Sequence, residues 1–136
     1  MRLYIILLFL FSCSTAVINQ PPGHKVASVN HLENGKKQLE KGHCKQAIEQ
    51  FDKALEKDPT NFQALYWKGV ALGMCGDYSS AIKILEISIK YKPSNIWDER
   101  INIAISICNE RLSSKGRGKK AKSRDFSIVL KWLWEQ

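Results

Sequence analysis

Few side chains in this 136-residue chain are suited to covalent or metal chemistry: three histidines (His24, His31, His43) and four cysteines (Cys13, Cys44, Cys75, Cys108). The histidines follow one another at intervals of seven and twelve residues. Zinc sites need close ligand pairs, so these read as surface or loop histidines. The run GRGKK at 116–120 has the glycines and lysines of a phosphate loop, but neither a buried strand before it nor a Ser or Thr after the lysine. No catalytic residue, metal ligand, cofactor or small-molecule substrate is therefore expected. The one thiol whose surroundings suggest modification is Cys13.

Ahead of Cys13 stand one base, Arg2, a nine-residue apolar run at 3–11, and Ser12. A helical membrane span takes roughly 20 apolar residues, so this run has the length of a signal-peptide core instead. Leu10-Phe11-Ser12-Cys13 resembles the lipobox of bacterial lipoproteins, in which a Leu three positions before the Cys and a small residue just before it precede acylation and cleavage. Phe11 is bulkier than that pattern favours, and a single Arg is a thin basic region. The resemblance implies a signal peptide at 1–12, a palmitate-type lipid on Cys13 and an acylated tether at 13–27. It places the protein in a bacterial cell envelope, facing the periplasm. An ordinary signal peptide cut near Ala16 and an uncleaved anchor are the alternatives.

Charge is unevenly spread. The chain carries 21 Lys and Arg against 13 Asp and Glu, for +8, and 44% of it is hydrophobic. Residues 113–136 hold seven of the bases and two of the acids. What precedes them is nearly balanced, as expected of a folded body, and the basic character belongs to the tail.

That body repeats. QAIEQFDKALEKDPTN at 46–61 and SAIKILEISIKYKPSN at 80–95 align at an offset of 34, pairing Ala47 with Ala81, Phe51 with Leu85, Pro59 with Pro93 and Asn61 with Asn95. Upstream, Gly35 aligns with Gly69 and Gly42 with Gly76. Helices approach closely only where side chains are small, and each proline stops the second helix of a pair.

The pattern resembles the tetratricopeptide repeat, a 34-residue pair of antiparallel helices. The resemblance implies an all-α fold: an antiparallel helix-turn-helix solenoid of about two repeats, at 28–61 and 62–95, plus a capping helix at 96–112. His31 and Asn34 depart from the family pattern at the front of the first repeat. Two repeats are marginal, since each buries its apolar face only against neighbours. The helix 96–112, with Ile101, Ala104, Ile105, Cys108 and Leu112 at helical spacing, is expected to help complete the core.

By the same resemblance, the first helix of each unit lines a concave groove that binds protein partners. The lining residues would be Val29, Leu32, Lys36, Leu39 and Glu40 from the first unit, with Gln63, Tyr66, Trp67, Val70, Gly73 and Met74 from the second. Trp97 and Arg100 would join them from the capping helix. Repeats that grip the carboxylate tails of heat-shock chaperones need Lys, Asn and Arg where this chain has Leu32, Lys36, Trp67, Trp97 and Ile101, so that clamp is absent. What remains is an aromatic and aliphatic groove, suited to a hydrophobic peptide or helix.

A basic linker at 113–124 and an apolar segment at 125–136, DFSIVLKWLWEQ, end the chain. Asp125 is placed to cap a short helix. Nearly every residue after it is apolar, so no single face is evident, and the segment is itself a candidate occupant of the groove. Lys119, Lys120, Lys122, Arg124, Trp132 and Trp134 could alternatively touch anionic lipid. With Cys13 acylated, Cys44, Cys75 and Cys108 remain, an odd number. Cys75 and Cys108 could bridge, or the thiols could pack unbridged between helices.

The sequence thus predicts a non-enzymatic scaffold binding other envelope proteins through its groove and membrane through its N-terminal lipid, without nucleic acid. An accessory of outer-membrane β-barrel assembly resembling BamD, or a lipid-binding surface protein, are the other readings.

Overall fold

The computed structural model describes residues 22–115 and 125–133. Helices α1 (Pro22–Glu40), α2 (Cys44–Lys57), α3 (Phe62–Met74), α4 (Tyr78–Ile89) and α5 (Ile96–Lys115) follow one another, then a short α6 (Ser127–Leu130) and a 3-10 turn at Lys131–Leu133. There is no strand among the described residues. Each of α1 to α5 packs on the next, while α1, α3 and α5 also touch along one side. This is the expected all-α repeat solenoid. The expected signal peptide, Cys13, the first part of the expected tether, Lys119, Lys120, Lys122, Arg124 and Trp134 lie outside the described residues.

The repetition in sequence becomes repetition in hydrogen bonds. At the end of α1 the His43 amide reaches the Gln38 carbonyl (2.9 Å) and Gly42 reaches Leu39 (2.9 Å). At the end of α3 the amides of Asp77 and Gly76 reach Leu72 (3.0 Å) and Gly73 (3.1 Å), the same bonds 34 residues on. Both are glycine-terminated Schellman ends, with Gly42 at φ 74° and Gly76 at φ 88°, where a side chain would be strained. The helices that follow are started differently. Asp77 accepts from the Ser80 amide (3.2 Å), and its hydrogen bonds with Ser80 hold its carboxyl below the usual carboxylate range. His43, at the equivalent place before α2, makes no such cap.

Three helices meet at one polar chain. Asn61 accepts from the Ala64 amide at the start of α3 (3.0 Å) and donates to Ser28 Oγ of α1 (3.0 Å). Ser28, almost fully buried, donates in turn to the Ala54 carbonyl of α2 (3.0 Å). A Lys68–Asp52 ion pair (2.6 Å) adds a second tie between α3 and α2.

Close packing within each repeat depends on two missing side chains. A Cβ on Gly35 would stand 2.4 Å from Phe51 Cε1, and one on Gly69 would stand 2.7 Å from Leu85 Cγ. Phe51 and Leu85 are wholly buried in these seats. Leu39, Ala47, Ala54, Val70, Ala71 and Ala81 fill the space between helices, and Ile101, Ala104 and Ile107 carry the core into α5.

Several boundaries differ from those expected. The tether does not reach residue 27, because α1 begins at Pro22. A proline costs nothing at a first helical position, where its missing N–H would have no partner anyway. At the other end α5 runs on through Lys115, into the stretch expected to be linker.

The cysteines also differ. Cys44 and Cys75 are bridged, with Cα atoms 5.7 Å apart. Cys108 is a free thiol, fully buried, and desolvation pushes its pKa up to about 11. The bridge between Cys75 and Cys108 weighed from the sequence does not form, since Cys75, at the C-cap of α3, is bonded to Cys44 instead. Cys44 opens α2 just past the matching turn at Gly42, and stacked repeats set these two turns side by side.

The bridge spans 31 residues of sequence, and closing a loop of that size stabilises the fold by about 3–4 kcal/mol in the chain-entropy picture. Double substitution Cys44→Ser/Cys75→Ser is expected to lower unfolding stability by up to that amount in urea titrations, with helical circular dichroism retained in the absence of denaturant. In a Cys13→Ser background the intact protein should expose no thiol to a maleimide at pH 8 until it is unfolded.

Candidate functional site

On the side where α1, α3 and α5 meet, the C-terminal segment lies against the end of α3 and against α5. Its seat is Gly73 of α3, where an added Cβ would stand 2.2 Å from Phe126 Cζ. From there the segment turns one face inward: Val129 and Leu133 are buried, and Phe126 and Leu130 are half-buried against the core. Ser127, Ile128 and Lys131 face solvent. The inward positions are i, i+3, i+4 and i+7, the spacing of a helix laid in a groove. A single face therefore exists in a segment whose composition hid it, because the outward Ile128 is as apolar as its inward neighbours.

Local bonds fold the segment. Asp125 accepts from the Ser127 amide (3.0 Å) and from the Ser127 hydroxyl, which holds its carboxyl below the usual range. The amides of Val129 (3.0 Å) and Leu130 (2.9 Å) both reach the Phe126 carbonyl. Beside the anchors, the Arg100 guanidinium lies 5.0 Å from the Trp97 ring centre and 5.2 Å from that of Trp132. A shallow cavity of about 340 Å³ remains at the edge of the segment, lined by Gly73, Met74, Tyr78, Arg111, Phe126 and Leu130 among others.

The groove residues expected from the repeat pattern divide into two sets. Leu32, Lys36, Leu39, Tyr66, Trp67 and Val70 are buried, so they are packing as much as lining. Lys36 is no groove-edge charge, since its ammonium donates to Glu33 one turn back (3.1 Å). Gln63, Met74, Trp97 and Arg100 keep partial exposure. Trp97 meets Phe62 (ring centres 4.7 Å apart) and Tyr66 (5.2 Å) edge to face, so an aromatic cluster joins α3 to α5. Trp132, expected at a membrane or partner, is half-buried on Arg100.

Two groups in this region are poorly served. The Tyr66 hydroxyl and Trp67 Nε1 are buried with no hydrogen-bond partner among the described residues. Burial pushes the Tyr66 hydroxyl well above its ordinary pKa, a shift that nearby Arg100 partly opposes. Each unmet group costs about 1–3 kcal/mol. Composition alone could not reveal them, since both aromatics look like ordinary core. No cluster of three or more His, Cys, Asp or Glu side chains able to hold a metal ion occurs among the described residues. Nor is any described helix long and apolar enough to cross a membrane.

With this geometry in view, comparison with known proteins gives a consistent class. Residues 50–83 match the tetratricopeptide repeat, a stretch running from mid-α2 through α3 into α4. The chain thus contains a match to the tetratricopeptide repeat, a motif whose proteins are generally non-enzymatic scaffolds for other proteins. One relative, "FK506-binding protein-like" from Rattus norvegicus, is 33% identical over 75 residues, which is 55% of this chain and 22% of that protein. The chain thus spans about a fifth of that relative's length. No solved structure matches it significantly.

The contact of Arg100 with Trp132 is open to a double-mutant cycle on unfolding stability. Contacts of this kind are worth about 0.5–1 kcal/mol at partly exposed sites. Arg100→Ala and Trp132→Ala should each destabilise, with a coupling of about that size between them. A coupling indistinguishable from zero would mean that the guanidinium does not hold the segment.

Proposed function

We propose that the chain is a protein-interaction scaffold that receives an apolar, amphipathic helix of a partner on its concave side, with Gly73 as the principal seat. One observation carries this reading. The groove already holds a short helical segment through anchors at i, i+3, i+4 and i+7, so its shape and chemistry suit that mode of recognition. The tetratricopeptide match supports a scaffold role.

Attachment to a bacterial envelope membrane through lipid on Cys13 is part of the same proposal. Its support is the lipobox-like sequence together with the Cys44–Cys75 bridge, because disulfides persist in oxidising compartments and are rare in the cytosol. In this reading the partners are other envelope proteins, and the groove faces the periplasm.

Site-specific photocrosslinking in a bacterial host tests the groove reading. A crosslinker at Gln63 or Met74, on the groove, is expected to trap a discrete partner band. The same group at Glu86, on the exposed side of α4, is not. Equal bands from both faces, or none from the groove, would refute it. Incorporation of labelled palmitate into wild type but not Cys13→Ala tests the anchor separately.

A further inference from the structure

We infer that residues 125–133 are a displaceable intramolecular ligand that masks the groove until a partner helix of the same anchor pattern replaces it. This rests on the groove reading above and adds what occupies the groove at rest and what the partner must look like.

The first argument is the mode of docking. The segment presents Phe126, Val129, Leu130 and Leu133 along one face, and Phe126 enters a space that exists because residue 73 has no Cβ. A separate polypeptide binding this surface would have to meet the same constraints. The partner is therefore an amphipathic helix with a large aromatic first anchor and apolar residues three, four and seven positions later. Any such helix competes with the segment for one seat, so both cannot be bound together.

The second argument is that the segment is an imperfect occupant. Its helical part is one turn of α6 and a 3-10 turn, too short to hold its conformation unaided. Four apolar anchors are set against the ordering entropy of nine residues, terms of similar size.

The third argument is covalent continuity. Nine residues, 116–124, join the end of α5 to the segment. A tether of that length gives the attached ligand an effective concentration in the millimolar range, which weakens the apparent affinity of any competitor. Masking then follows from attachment rather than from tight contacts.

The test uses the full chain and a fluorescein-labelled synthetic peptide, DFSIVLKWLWEQ, read by anisotropy. Phe126→Asp/Leu133→Asp should release the segment and bind the peptide at least tenfold more tightly than wild type does. Adding Gly73→Leu to that variant should abolish binding, since the seat is then filled. Circular dichroism and melting identify any variant whose repeats have not folded, and the milder Phe126→Ala should then give the same order with a smaller change. Equal peptide affinity for wild type and the released variant would overturn the masking inference while leaving the groove reading intact. No binding to either, with both folded, would overturn the inference and the groove reading together. A wild-type mass of two chains by light scattering at micromolar concentration, lost on releasing the segment, would mean that it docks on a second copy and would overturn the intramolecular assignment.

Discussion

Three long side chains in this protein each rest on a residue that has no Cβ: Phe51 on Gly35, Leu85 on Gly69 and Phe126 on Gly73. The first two contacts are the same contact, repeated 34 residues apart, and they set how closely the two helices of each repeat approach. If either glycine carried even a methyl group, the ring or branch facing it would have to move, and with it the helix it belongs to. The stacking of α1, α3 and α5 along one side depends on that spacing. So does the concave surface, because its depth is fixed by how tightly each second helix holds its first.

The third seat uses the same device for a different end. Phe51 and Leu85 belong to helices of 14 and 12 residues, bound along their length to the next helix in sequence. Phe126 belongs to a single helical turn with solvent on its outer face. Equivalent local geometry therefore carries unequal stability, since the first two seats are supported by neighbouring turns and the third by three further anchors and the Arg100 contacts. The Cys44–Cys75 bridge lies next to this third seat. Cys75 is two residues from Gly73, so the bridge fixes the end of α3 on which Phe126 rests.

Much of this was legible in the sequence, and for stateable reasons. Period and punctuation survive in a linear chain, so the 34-residue offset, the aligned glycines and the prolines at 59 and 93 located the helices without knowledge of their contacts. Helix starts were less legible: Pro22 lies within the expected tether, yet it opens α1, where a proline at a first helical position is harmless. The Cys44–Cys75 bridge was not legible from helix membership, which leaves every pairing of the cysteines open. Distance from the nearest turn was the informative measure, since Cys44 stands two residues after Gly42 and Cys75 one before Gly76. The inward face of the final segment could not be read because Ile128 is as apolar as its neighbours. Only the position of Gly73 decides which side turns in.

The central claim is that the final segment is folded onto the groove, and amide hydrogen exchange tests it most directly. In the full-length protein the amides of Val129, Leu130 and Lys131 each have a carbonyl partner within the segment. Such short helical turns are protected only while they are docked. Exchange at these three amides measurably slower than in the free peptide DFSIVLKWLWEQ, and returning to the peptide's rate in Gly73→Leu, is the predicted result. Exchange at the free-peptide rate in the wild-type protein would contradict it.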